Sequence, residues 1–151
     1  MRAFNFRLQP VLDLKVQEKE NMQQRYQSAR DKWMGRYQDL ESLENEKKDR
    51  LTSLEPQEGT VINPRAQEAK WNFVHHLNEE IKEVHRDVVK LEDIVNKRYK
   101  ELLEKLKEEK SFEKLKENLA QKHRKEMERL QQKEVDEMGQ QLYFKQIRGE
   151  G

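Results

Sequence analysis

The sequence predicts an all-α protein: a long two-helix antiparallel coiled-coil hairpin with an extended second helix. Three observations predict it. First, 40% of the 151 residues are charged, and 31 Lys+Arg stand against 30 Asp+Glu. Mean hydropathy is −1.27. Balanced charge with only 5 Gly and 3 Pro suits solvated helices better than a compact core or a disordered chain, which needs high net charge. Second, breakers cluster at one place, Pro56 to Pro64. Third, the apolar residues repeat at helical spacing on either side of that break.

Helix one is expected over about 8–55, with Pro10 tolerated in its first turn. Met22, Tyr26, Ala29, Trp33, Leu40, Leu43 and Leu54 share one heptad frame, on which Arg36, Lys47 and Arg50 also fall. Packing there should be irregular, with basic stems running along its edge. The loop is expected at about 56–63. Asn63 reads as the cap and Pro64 as the first residue of helix two, over about 64–148.

Helix two carries the cleaner seam. Val74, Leu77, Ile81, Val84, Val88, Leu91 and Val95 are spaced 3, 4, 3, 4, 3, 4. Such a narrow stripe must bury against another. It continues through Tyr99, Leu102 and Leu106 with a one-step slip and lapses near Glu108–Ser111. Pairs at i,i+4 support the solvated faces: Glu44/Lys48, Glu46/Arg50, Asp93/Lys97 and Glu101/Lys105, each giving about 0.3 kcal/mol.

A short loop makes the helices antiparallel neighbours in a single coiled-coil domain spanning 1–151. At 1.5 Å per residue helix one is roughly 70 Å long and helix two roughly 125 Å. Folding back about the loop makes facing residue numbers add to about 119. Trp33 then lies near His85, Leu12 near Lys107, and residues after about 112 overhang. The overhang keeps apolar residues, among them Phe112, Leu119, Leu130, Val135, Met138, Leu142 and Phe144. Residues 97–133 hold 13 Lys+Arg and 8 Asp+Glu, a net of +5. An unpaired amphipathic stripe is a binding element, a frayed tail or the seat of a second chain.

Several functions lose support. There is no apolar run of transmembrane length. The opening MRAFNFRLQP has no continuous apolar segment, so no secretory signal is expected. Zero cysteines exclude thiolate metal sites and thiol catalysis. Neither GxGxxG nor GxxxxGK[ST] occurs, and no HExxH or i,i+4 histidine pair. No enzyme, cofactor or metal is therefore expected. His75 and His76 have Glu79 and Glu80 at i+4, which reads as surface pairing. Lys122-His123-Arg124-Lys125 runs straight into Glu126 and Glu128, a solvated face in preference to a nucleic-acid site. Trp71 and Phe73 precede the clean heptads on different sides of the helix, so at least one should be exposed and available for docking.

Both ends carry a resemblance. Phe4-Asn5-Phe6-Arg7-Leu8-Gln9-Pro10-Val11-Leu12, leading into a Glu/Gln-rich helix, resembles the opening of the flagellar export protein FliJ family. Gln132-Lys133-Glu134-Val135-Asp136-Glu137 resembles that family's QKxxDE motif. Gly139 follows it where a helix former is expected, and Leu142-Tyr143-Phe144-Lys145 is more aromatic than the usual basic ending. The resemblance implies a non-catalytic stalk of the flagellar type III export apparatus, cytoplasmic and peripheral to the membrane. It implies insertion into the export ATPase hexamer, promoting its assembly and activity, and contact with the cytoplasmic domain of the export gate. Export chaperones are implied as further partners. Mapped onto this chain, the ATPase face is Phe6, Arg7, Leu8, Leu12, Gln132, Lys133, Asp136 and Glu137. The gate contact is Trp71, Phe73 and Leu77. The alternative for Phe6, Leu8 and Leu12 is closure of the coiled coil against helix two; for Leu77 it is the seam. Neither nucleic acid nor membrane insertion is expected, and the free chain is expected to be a monomer. The competing reading is a homo-oligomeric structural scaffold.

Overall fold

A computed structural model describes residues 3–55, 59, 61 and 63–150. Two helices, α1 (Gln9–Ser53) and α2 (Pro64–Glu150), pack against each other as an all-α hairpin. Among the described residues there is no strand. The contacts divide into two units. One holds the chain up to Lys19 together with the chain from Lys105 on; the other is Glu20–Glu104.

Helix ends follow the local sequence. The Gln9 amide donates to the Phe6 carbonyl at 3.0 Å, which turns the chain into α1. The last turn of α1 tightens: the Leu54 amide donates to the Leu51 carbonyl and the Glu55 amide to the Thr52 carbonyl. Gly59 takes φ 84°, a conformation that L side chains rarely adopt. At the start of α2 the Arg65 amide donates to Asn63 Oδ1 at 3.1 Å, so Asn63 is the cap the sequence indicates. Helix α2 is unbroken through 108–111, where the Ser111 hydroxyl donates to the Lys107 carbonyl, and through Gly139.

In the Glu20–Glu104 unit the seam is as narrow as the spacing requires. Val74, Leu77, Val84, Val88 and Leu102 of α2 are buried, as are Ala29 and Leu40 of α1. Trp33, Leu43 and Ile81 pack on the cluster of Leu40, Val84 and Val88. Facing partners are Tyr26 with Tyr99, Arg36 with Asp87, Arg50 with Phe73 and Ser53 with Lys70. Their numbers add to 123–125, so the register lies about one turn beyond the expected 119, and Trp33 meets the Val84/Val88 cluster. Helix α2 begins where the Asn63 cap indicates; the register differs because Lys70 is the residue that reaches back across the loop to the Ser53 carbonyl.

The slip expected after Val95 does not occur. The half-buried positions continue through Arg98, Leu102, Lys105, Glu109 and Phe112, keeping the 3,4 rhythm, while Tyr99 is 48% exposed. Charged side chains simply occupy seam positions. None of the four expected i,i+4 pairs forms among the described residues. Lys105 turns to Glu18 and Glu108, and the Arg50 guanidinium lies 4.6 Å from the centre of the Phe73 ring. A pair worth a few tenths of a kcal/mol does not hold a long side chain against a cross-helix partner.

The unit of both chain ends is built on those charged seam positions. Lys15, Glu18, Lys105 and Glu108 form a closed ring of alternating charge, with successive N–O distances of 3.6, 3.2, 3.5 and 3.1 Å. Lys19 pairs with Glu109 at 3.3 Å, and Glu109 is only 9% exposed. The hydrogen bond from Lys15 holds the Glu108 carboxyl below its ordinary value; the bond to Glu18 holds the Lys105 ammonium above its own. Beyond the ring, Phe6 and Leu12 are buried and the Phe4 ring lies 5.7 Å from the His123 ring. The partly covered residues of α2 therefore continue past the expected limit of 112, through Lys116, Ala120, His123 and Met127. The cause is the non-helical segment before α1, whose aromatic side chains extend the pairing.

The two shifts fix a stability profile. Glu108 lies below its unfolded value, so its contribution is present above the ordinary carboxylate range, about pH 4.3, and is lost as pH falls through the depressed value. Lys105 lies above its unfolded value, so its contribution is present below about pH 10.4 and is lost as pH rises through the raised one. Thermal melts followed by circular dichroism should show a plateau between about pH 5 and 10, falling at both ends. A Glu108→Gln variant should lose part of the acid-side fall.

Candidate partner-binding surfaces

Two surfaces carry the residues singled out by the sequence. The first lies in the unit of the chain ends. Within it the predicted ATPase-face residues separate into two groups. Phe6 and Leu12, at 5% and 6% exposure, are spent on closing the hairpin and present no free face. Arg7 is exposed and Leu8 is 36% exposed. Gln132, Lys133, Asp136 and Glu137 are all exposed. Gln132 Nε2 donates to Asp136 Oδ1 at 3.1 Å, holding that pair one turn apart on one strip. Lys133 and Glu137 make no ion pair among the described residues.

From Glu128 to Gly149 every residue is exposed. This stretch of α2 still carries Val135, Met138, Leu142, Tyr143 and Phe144 at 60–64% exposure, with Ile147 at 49%. At 100° per residue Val135, Met138 and Leu142 fall within about 60° of one another, on the side away from Lys133 and Asp136. Tyr143 and Phe144 meet edge to face at 6.2 Å. The helix thus offers a polar strip and an apolar strip side by side. Val135, Met138 and Leu142 belong to the overhanging apolar stripe read from sequence, and their 3,4 spacing is its signal. One turn before this stretch, Arg129 grips Glu126 through two bonds of 2.7 and 3.2 Å, which lowers the Glu126 carboxyl.

The second surface lies in the Glu20–Glu104 unit at the start of α2. Trp71 is 57% exposed and Phe73 37%, the latter partly roofed by the Arg50 guanidinium. Leu77, at 2%, is a seam residue and does not share this surface. His76 Nε2 sits 3.2 Å from a Glu80 carboxylate oxygen, the surface pairing read from its i+4 spacing. Among the described residues no three His, Asp or Glu side chains converge as a metal would require, and no helix is long and apolar enough to cross a membrane.

A family model described as "Flagellar FliJ protein" matches residues 4–148. The chain belongs to the FliJ family. That span includes both motifs on which the resemblance rested, the aromatic opening and the QKxxDE segment. As a FliJ-family member the protein is a component of the flagellar export apparatus. No curated protein and no solved structure matches the chain.

Two measurements separate exposed from structural residues. Leu77→Ala should destabilise the hairpin by about 2–3 kcal/mol in urea unfolding, while Trp71→Ala should stay within about 0.5 kcal/mol. In hydrogen exchange, amides of 128–149 should exchange orders of magnitude faster than those of 81–102, because a helix without a packed face gains little protection.

Proposed function

We propose that this FliJ-family chain is the non-catalytic stalk of the export apparatus. It inserts the exposed end of α2 into the export ATPase hexamer and promotes ring assembly and ATP hydrolysis. One observation carries this reading: in the continuous helix from Glu128 to Gly149 every residue is exposed, with Val135, Met138 and Leu142 on one side. Uncovered apolar area of this kind is stabilised by a partner. The polar strip Gln132, Lys133, Asp136 and Glu137 is the ATPase-facing motif, joined by Arg7 and Leu8. Phe6 and Leu12 support it from inside the hairpin. Trp71 and Phe73 form the contact for the cytoplasmic domain of the export gate, with export chaperones as further partners. The protein works in the cytoplasm, peripheral to the membrane through these contacts, and the chain carries no chemistry of its own.

The test is the ATPase rate and oligomeric state of the cognate export ATPase, with and without this chain at sub-micromolar concentration. Stimulation with ring assembly is expected. Joint charge reversal, Lys133→Glu with Asp136→Lys, should abolish it while far-ultraviolet circular dichroism is unchanged. Stimulation that survives the double reversal would remove this face. A chain that fails to stimulate and is itself a tight oligomer would give first place to the structural scaffold.

A further inference from the structure

Within the Glu20–Glu104 unit, one side of the hairpin carries an open groove between α1 and α2. We propose that this groove pairs with the same groove of a second copy of the chain, the two copies related by a twofold axis near Gly35.

The charges are arranged in two halves. In one half Arg25, Lys32 and Arg98 stand around Ala29, Leu91 and Ile94. In the other Asp39, Glu80, Glu83 and Asp87 stand around Leu43 and Val84, with Arg36 between them. The middle stretch shares Lys32 and Leu91 with the basic half, and Arg36 and Asp39 with the acidic half, so the groove is continuous. Along α1 the wall carries Arg25, Lys32 and Asp39 at intervals of seven, and Glu46 continues the series. In a heptad frame that is one flank position repeated four times, the position that sets partner choice and orientation in coiled coils.

The hairpin does not neutralise these halves itself. Arg36 bridges Asp39 and Asp87 at 3.4 Å each, and Arg98 pairs with Glu101. Among the described residues Arg25, Lys32, Glu46 and Glu83 make no ion pair. Each half is left with an excess of one sign facing across its own groove. A second copy laid antiparallel sets basic half on acidic half twice, because reversal exchanges the halves; an isologous contact needs this self-complementarity.

Gly35 gives a separate reason. It lies in the interior of α1, where glycine costs about 0.5–1 kcal/mol relative to alanine. A Cβ there would meet nothing within 4 Å, so packing inside the chain does not require it. It stands in the middle stretch of the groove, where a bare backbone lets another helix approach closely. Ile94, 43% exposed, would be covered by the same contact. The stretch 25–46 is about 30 Å long, which puts the interface at the small end, below about 1,200 Å² in total. Pairing is therefore reversible, micromolar and salt-sensitive, and the dilute chain stands alone.

Sedimentation velocity of the full chain between about 1 and 200 µM tests this. In low salt the sedimentation coefficient should rise with concentration to that of a dimer. The dissociation constant should rise about tenfold or more in 0.5 M salt. Arg25→Glu with Lys32→Glu makes all four α1 flank positions acidic; Asp39→Lys with Glu46→Lys makes all four basic. Each variant alone should stay monomeric, and their equimolar mixture should dimerise at least as tightly as the parent. Gly35→Gln should raise the melting temperature yet weaken the dimer about tenfold, which an effect on folding could not do. A parent that stays monomeric throughout overturns the proposal. So does a mixture that fails to pair while both variants keep their helicity, or a dimer untouched by all three variants. In that last outcome, loss of the dimer on Met138→Glu with Leu142→Glu would assign it to the exposed end of α2. None of the groove residues belongs to the ATPase-facing strip, so stimulation of the ATPase by these variants reports separately on the stalk reading.

Discussion

Everything in this fold depends on two stripes, each too narrow to be buried by anything except the other. Among the described residues there is no third layer, nine apolar residues are buried, and none falls below 2% exposure. At about 25 cal/mol per Å², such a seam stabilises only where both helices contribute. Stability is therefore spread along the pairing, with no centre that could hold the rest if one stretch opened. The contrast between Leu77, at 2%, and Trp71, at 57% and six residues before it, shows how abruptly burial ends off the seam.

A stripe of interchangeable Val and Leu residues does not by itself choose one register, since a slide by one heptad re-forms much of it. The charged ring of Lys15, Glu18, Lys105 and Glu108, with the Lys19–Glu109 pair beside it, does. Sliding by one heptad sets Lys15 opposite Leu115 and Glu18 opposite Phe112 in one direction, and Lys105 opposite Val11 and Glu108 opposite Leu8 in the other. Surface pairs contribute little free energy one at a time. Their effect here is on specificity, as with single polar residues in coiled-coil seams. Asn63 acts at the other boundary by fixing where α2 begins.

Much of this was legible in the sequence. The two helices, the Asn63–Pro64 start and the Val74–Val95 seam could all be read because each is a local pattern with a local cause. Three features could not. The register lies about one turn from the expected one because no local pattern says which residue of α2 first reaches back to α1. Beyond Val95 the apolar residues point through Tyr99, Leu102 and Leu106, whereas the helix keeps its rhythm, holding Leu102 and tolerating Arg98, Lys105 and Glu109 on the seam. The covered length was short because Phe4 and Phe6, outside any helix, still pack. Among the surfaces, the motif residues Lys133 and Asp136 are exposed, whereas Phe6, Leu12 and Leu77 take the alternative the sequence left open and are buried in the hairpin. An apolar residue in a motif looks the same in one sequence whether it closes the fold or meets a partner.

The unequal helices decide what the free protein can do. Helix α1 has 45 residues and α2 has 87, so the pairing must end before α2 does. Partial coverage ends at Met127, and the chain does not change character there: Val135, Met138 and Leu142 keep a 3,4 rhythm. A sequence needing only solubility beyond its pairing partner would carry polar residues at those positions. An isolated helix of about twenty residues is marginal in water, so this one maintains a stripe that its own chain does not cover. Its stability is then linked to occupancy: whatever covers the stripe also orders the helix, and the free energy of ordering is subtracted from the affinity. Such an end suits engagement that can be released.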